Sequence, residues 1–153
     1  MQHSILITEE ILNTKADYAD SRGLLPELIL KLITASIKNP DELRIPFGGS
    51  IGQSGWDGRV VSPYAYHPYV PEGQSFWESS ASDKPADMAN TNFNKRTEQT
   101  SEAERESSTF VFVTPRSASH GWTADAQNKW LKKRREKTNW KDIRIHDATK
   151  LVQ

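Results

Sequence analysis

Two carboxylates stand beside tryptophans in short strand-like segments of the chain. Asp57 follows Trp56, and Glu78 follows Trp77. An unpaired charge is costly to bury in the apolar part of a strand, so each carboxylate needs a basic side chain, backbone N–H groups or a metal as its partner. If the two segments pair as a meander, Asp57 at the start of one strand approaches Glu78 at the end of the other. Such hard oxygen ligands suit Mg²⁺ (or Mn²⁺), which binds one or two carboxylates together with water and substrate phosphates.

Structural roles remain open for the same two residues. Asp57 is followed by Gly58, and Asp-Gly is a strong turn pair. Glu78 could instead belong to a structural ion pair with Arg59 or with Lys84. In that case neither carboxylate would be a metal ligand.

A basic segment near the C-terminus could bind phosphates. The net charge of the chain is zero, but eight basic residues lie between positions 129 and 144 against two acidic ones. A local basic face is enough to bind phosphates, whatever the net charge. A solvated helix face is the simpler interpretation of the same residues. The eight are Lys129, Lys132, Lys133, Arg134, Arg135, Lys137, Lys141 and Arg144.

The elements that must position these residues follow the order helix, three strands, helix, strand, helix, strand. The first helix is predicted over "GLLPELILKLITASIKNP", whose apolar residues have the spacing of one helical face. The second begins near Ser82 or Asp83, with Pro85 in its first turn. This order predicts an α/β three-layer sandwich, with a mixed central sheet flanked by helices. The strands are predicted in "ELRIPFGGS", "WDGRVVS", "QSFWESS", "STFVFVTP" and "DIRIHDATKLV", and the third helix in "GWTADAQNKWLKKRREK".

Composition narrows the class of protein. The chain has 153 residues, about one domain, and no cysteine, which excludes disulfides, thiolate zinc sites and a cysteine nucleophile. It has no apolar run as long as a membrane span and no secretory signal at its N-terminus. We therefore expect a cytoplasmic protein with no membrane partner. We expect residues 1–22 to form an N-terminal arm and residues 23–153 to form one domain, the first of a longer protein.

An acid on the second strand, an acid on the third, and a core in the order helix, three strands, helix, strand resemble the PD-(D/E)XK nuclease superfamily. The closer likeness is to the restriction-endonuclease-like domains at the N-terminus of large bacterial anti-phage NTPases, and it covers about residues 24 to 151. The segments that suggest this closer likeness are "GWDG", "PEGQSFWES", "NFNKRT" and "FVFVTPR", followed by the tryptophan-rich basic helix and "IRIHDATKL". The resemblance implies an αβββαβ core and a Mg²⁺-dependent endonuclease. It also implies double-stranded DNA as substrate, further NTPase or sensor domains in the same chain, and a homo-oligomer as one possible assembly.

The resemblance assigns roles to particular residues. Asp57 matches the metal-binding aspartate and Glu78 the glutamate of the E-x-K element. The lysine of that element belongs at position 80, where this chain has Ser80. Lys84 just beyond the strand, or Lys95 on the next helix, is expected to take its place and act on the attacking water or the phosphate.

Further residues would complete the site and hold the DNA. Glu27, on the polar face of the first helix, is a candidate third metal ligand, although an exposed pair with Lys31 four residues on is the simpler interpretation. The bound metal would lower the pKa of the attacking water. The alternative function is an inactive nuclease-like DNA-binding or protein-docking module, which Ser80 favours. The residues expected to contact the DNA backbone are Arg116, Lys129, Lys133 and Arg134.

Overall fold

The computed structural model describes residues 58–65, 69–116 and 120–151, together with the backbone of residues 42–44. The predicted N-terminal arm, the predicted first helix and the candidate ligands Glu27 and Asp57 lie outside these residues. The described elements are β1 Glu42–Arg44, β2 Gly58–Ser62, β3 Gly73–Ser79, α1 Pro85–Gln99, α2 Glu102–Ser107, β4 Ser108–Val113, α3 Ala124–Lys137, β5 Asp142–His146 and α4 Ala148–Leu151.

The strands form one mixed sheet in the order β1-β2-β3-β4-β5. Strands β1, β2 and β3 are an antiparallel meander, and β4 and β5 continue the sheet parallel to β3. Parallel neighbours need a crossover connection, which α1 and α2 provide between β3 and β4 and α3 provides between β4 and β5. The predicted α/β class, the mixed sheet and the meander pairing of the second and third strands are confirmed.

Helices α1 and α3 pack on one face of the sheet. Aromatic rings fill the space between them, and most meet edge to face, the geometry that ring quadrupoles prefer. The ring centroid of Phe93 on α1 lies 5.1 Å from that of Phe110 on β4 and 5.4 Å from that of Trp130 on α3. The cluster also contains Phe76, Ala89, Phe112, Trp122, Leu131, Trp140, Ile143 and Ile145.

Strand β4 is the centre of the domain. All six of its residues are buried, as the continuous apolar run in the sequence predicts for a strand covered on both faces. Phe110 and Phe112 belong to the aromatic core, whereas Val111 and Val113 point to the opposite face because side chains alternate along a strand. Trp77 of β3 is buried on that opposite face as well.

The helical segment after β3 differs in detail from the prediction. Pro85 is the first residue of α1, and Lys84 occupies the N-cap position with no side-chain cap, so neither Ser82 nor Asp83 caps the helix. The segment then breaks at Thr100, which has an extended backbone (φ −105°, ψ 133°). A second helix, α2, begins there with Ser101 as its N-cap.

Arg105 of α2 forms hydrogen bonds to the C-terminal end of α1. Its Nη1 donates to the carbonyl oxygens of Thr97 and Thr100 at 2.8 and 2.5 Å, and its Nε donates to Oδ1 of Asn139 at 2.6 Å. These bonds satisfy carbonyls that a helix C-terminus leaves without partners. They hold the last turn of α1, which carries Arg96, in place above the sheet. Among the described helices, none is long and apolar enough to cross a membrane.

Candidate metal site and basic surface

Glu78 lies near the carboxyl end of β3 and points toward the helices. It shares its face of the sheet with Phe76 and stands beside Phe112 of β4, both members of the aromatic core. Only 4% of its surface is exposed. A carboxylate so deeply buried must be neutralised or paired.

Arg96 of α1 is a partner of Glu78. Arg96 Nε donates a hydrogen bond to Glu78 Oε1, and Arg96 is itself 8% exposed. Arg96 Nη1 also donates to Oε1 of Gln99 at 3.0 Å, one turn further along the helix. Glu78 therefore belongs to a structural ion pair, an alternative that the sequence left open, although Arg96 is not one of the two cations that the sequence suggested.

Sequence reasoning missed Arg96, although the signal was present. Pro85, Ala89, Phe93 and Arg96 are the buried residues of α1, and their spacings of four, four and three define one face of a helix. Only the first three are apolar. Arg96 was overlooked because a basic residue in a polar segment is normally read as part of the solvated side.

The two lysines proposed to replace the one missing at Ser80 are both exposed. Lys84 stands at the start of α1, where its backbone N–H donates to Ser82 Oγ at 3.1 Å. The Ser82 N–H in turn donates to Ser80 Oγ at 3.2 Å, so two successive serine turns link the strand end to the helix. Lys95 precedes Arg96 and lies outside the buried face of α1. Both catalytic roles stay predictions.

The described residues supply one ligand of the expected metal site. Glu78 is a hard oxygen donor of the kind Mg²⁺ binds, but no group of three potential metal ligands occurs within residues 58–65, 69–116 and 120–151. The other predicted ligands, Asp57 and Glu27, fall outside these ranges. The donor chemistry fits Mg²⁺ or Mn²⁺, and the completeness of the site depends on those two residues.

Arg116, predicted to hold DNA, lies in the interior of the domain. It is 2% exposed. Its Nε and Nη2 donate to the Ala81 carbonyl at 3.3 and 3.1 Å, and its Nη1 lies 3.1 Å from Nε2 of His120. Because a guanidinium only donates hydrogen bonds, that His120 nitrogen is the acceptor. These contacts tie the loop after β4 to the segment after β3, close to Ser80.

The predicted basic face is present on α3. We call the exposed lysines of this helix the basic surface. Lys129 and Lys133 are one turn apart on one stripe of the helix, and Lys129 forms an exposed pair with Asp125 at 3.3 Å. Such pairs contribute little to stability, so these lysines are available to an external phosphate. The basic surface consists of Lys129, Lys132, Lys133 and Lys137.

Arg134 contacts other side chains of the domain, on α3 and on α1. Its guanidinium carbon lies 4.5 Å from the centre of the Trp130 ring, a cation–π contact, and its Nη2 donates to Oδ1 of Asn90 on α1. Partial burial lowers the pKa of Arg134, but a guanidinium remains charged at neutral pH. Arg134 therefore joins α3 to α1 at the edge of the basic surface.

His146 is a buried titratable group that the sequence did not single out. It is 3% exposed, and its Nε2 donates to the Tyr69 carbonyl at 2.9 Å. Its Nδ1 has no hydrogen-bond partner within the described part of the chain. Burial, with the charges of Lys150 and Arg144 adding to it, lowers the pKa of His146 to about 4. His146 contacts the ring of Trp77, on the opposite face of the sheet from Glu78.

In comparisons with known proteins, no family model, curated protein or solved structure matches the chain.

Proposed function

We propose that the chain is a restriction-endonuclease-like domain that hydrolyses phosphodiester bonds of double-stranded DNA with Mg²⁺ or Mn²⁺. One observation carries the proposal: the register of β2 against β3. Gly58 pairs with Trp77, and Asp57 and Glu78 are the residues next to them in the chain. If this antiparallel register continued by one residue, Asp57 would face Glu78.

We thus expect the Asp57 and Glu78 carboxylates to bind the same metal ion. Glu27 is the proposed third ligand. A bound Mg²⁺ or Mn²⁺ would supply an activated water and neutralise charge on the phosphate. Lys84 is proposed to supply the positive charge that Ser80 does not.

The basic surface of α3 is proposed to hold the DNA backbone. Lysines bind phosphates as point charges and position a duplex without reading its sequence. Arg134, fixed by Trp130 and Asn90, would present a preset positive charge at the edge of that surface. Arg116 would stabilise the loops beside the site, because its described contacts are with Ala81 and His120 inside the domain. We further propose, from the resemblance alone, that the domain belongs to a larger anti-phage protein.

Cleavage of supercoiled plasmid with Mg²⁺ or Mn²⁺ tests the proposed function. We expect cleavage that EDTA abolishes, and that Asp57→Asn and Glu78→Gln each abolish. Glu72→Gln is the matched control, because Glu72 is an exposed acid just before the same strand. Equal cleavage by wild type and Glu78→Gln would contradict the proposal, and so would no cleavage under any metal condition.

A second function is favoured by a specific observation. Glu78 already has a cationic partner in Arg96, and position 80 is a serine. Both fit a nuclease-like module that binds DNA or docks onto protein without cutting. Salt-sensitive DNA binding by a protein that does not cleave and does not bind Mn²⁺ would establish the DNA-binding form of this alternative.

A further inference from the structure

The Glu78–Arg96 pair lies where the proposed metal would bind. Arg96 reaches Glu78 from the last turn of α1, and that turn is held from outside by Arg105. Both side chains are nearly inaccessible to solvent. The contact is therefore a feature of the folded core, unlike the exposed pair of Lys129 with Asp125.

We propose that Arg96 takes the place of the metal ion in the metal-free site. Its guanidinium stays bonded to the Glu78 carboxylate until a divalent cation displaces it. This inference rests on the proposed function, because it takes Glu78 to be a metal ligand. Arg96 is then a positioning residue that acts through Glu78. It also places a permanent positive charge in the site from the helix, in a chain whose strand lacks the lysine at position 80.

Two physical facts support this role. Glu78 Oε1 accepts a charge-assisted hydrogen bond from Arg96, and a metal that binds the same lone pair of that oxygen must displace this bond. A guanidinium next to a divalent cation is also repelled by it, and at a separation of a few ångströms the repulsion is substantial even in water. A metal that takes Glu78 Oε1 would therefore shift the Arg96 side chain, and the energy of that shift would weaken metal binding.

Arg96→Gln should show two effects that rarely occur together, a loss of stability and tighter binding of Mn²⁺. It should lose stability, because a buried carboxylate loses its counter-ion. It should nevertheless bind Mn²⁺ more tightly, by about tenfold or more, because the competing cation is gone. A residue that only supports the fold would produce the opposite result, since loosening a site weakens its affinity for metal.

Mn²⁺ titration followed by electron paramagnetic resonance measures this affinity on the whole chain. Arg96→Lys keeps the positive charge but not the guanidinium geometry, so its Mn²⁺ affinity should lie between those of the wild type and Arg96→Gln. Lys141→Gln is the control, because Lys141 is an exposed cation at the amino end of β5, at the other end of the parallel strands from Glu78. Sucrose, which stabilises folded states by exclusion from their surface, keeps Arg96→Gln folded during the titration.

A second measurement needs no destabilised variant. The Arg96 Nε–H resonance of the wild-type chain, identified by its loss in Arg96→Lys, is followed by nuclear magnetic resonance during titration with Mg²⁺. We expect the resonance to move toward the position of solvent-exposed arginines as the metal saturates the site.

The outcomes separate this inference from the proposed function. A wild-type chain that binds neither Mn²⁺ nor Mg²⁺ overturns both. Normal wild-type binding, together with weaker or unchanged Mn²⁺ affinity in Arg96→Gln, overturns the role of Arg96 alone. An Arg96 resonance that stays fixed while Mg²⁺ binds overturns it as well.

Discussion

The Arg96 side chain on helix α1 donates a hydrogen bond to the Glu78 carboxylate on strand β3, across the interface between helix and sheet. Both residues are buried. A contact of this kind makes each residue costly to remove alone and inexpensive to replace together with the other, because a single substitution leaves an uncompensated charge in the core.

The first prediction concerns stability. The sequence alone predicts that replacing Glu78 costs little, because an unpaired acid would be repelled by others in a metal-free site. The pair with Arg96 reverses that expectation. We expect Glu78→Ala to lower the free energy of unfolding by roughly 3–5 kcal/mol, and Glu78→Leu combined with Arg96→Met to restore most of it.

Urea denaturation of the wild type, Glu78→Leu, Arg96→Met and the double variant measures this coupling as a double-mutant cycle. A Glu78→Ala variant as stable as the wild type, with no coupling to Arg96, would show that the pair contributes nothing to the fold. Glu72→Ala, an exposed acid in the preceding loop, should change stability by less than about 0.5 kcal/mol.

The strands were predictable from the sequence because their signals are local. The uninterrupted "STFVFV" indicated a strand buried on both faces, and that is β4. The break at Thr100 was not predictable from pattern, since the polar segment around it is compatible with one long helix. It depends on Ser101, which caps α2, and on Arg105, which binds the free carbonyls of α1.

The partner of Glu78 was out of reach for a different reason. Arg96 lies 18 residues further along the chain, and its burial depends on how α1 packs against the sheet. The sequence indicated that a basic partner was one of the choices for Glu78, and named Arg59 and Lys84. Choosing among several cations requires the tertiary structure.

The second prediction concerns pH and His146. Burial lowers the pKa of His146 from 6.5 to about 4, so the unfolded chain binds more protons than the folded chain between these values. Stability should be constant with respect to this group above about pH 6.5 and fall as the pH decreases toward 4. The loss approaches roughly 3 kcal/mol, given about 1.4 kcal/mol for each pKa unit.

Urea denaturation between pH 4 and pH 7.5 checks this, with His146→Phe as the comparison. The variant removes the titrating ring, and its stability should change less with pH than that of the wild type. Equal pH dependence in the two proteins would mean that His146 is not the group responsible. The charged neighbours Lys150, Arg144 and Asp147 are the same in both.

The third prediction concerns the basic surface. Replacing Lys132 and Lys133 by glutamine should weaken binding to duplex DNA of any sequence. It should also reduce the slope of log affinity against log salt by about one for each DNA phosphate that the variant no longer neutralises. Fluorescence anisotropy at several salt concentrations measures both quantities. Glu136→Gln on the same helix removes an exposed negative charge, so it should bind at least as tightly with the same slope.

The fourth prediction concerns the missing lysine. Lys84→Ala should slow metal-dependent plasmid cleavage by about a hundredfold or more, the range for loss of one group that stabilises charge in the transition state. Lys95→Ala should have a smaller effect, since Lys95 is the reserve candidate. Cleavage at the wild-type rate by Lys84→Ala would contradict the proposed catalytic role of Lys84. If Ser80→Lys cleaves DNA where the wild type does not, the natural domain is a DNA-binding relative that has lost catalysis.

A crystal structure of the chain grown with Mn²⁺ tests the central claim most directly, because the anomalous signal of manganese locates the ion without ambiguity. We expect one manganese at the carboxyl end of β3, bonded to carboxylate oxygens of Glu78 and Asp57 at about 2.1 Å, with Arg96 moved away from Glu78. Carboxylates of Asp57 and Glu78 more than about 8 Å apart, with Arg96 still bonded to Glu78 and no manganese beside them, would contradict the metal site.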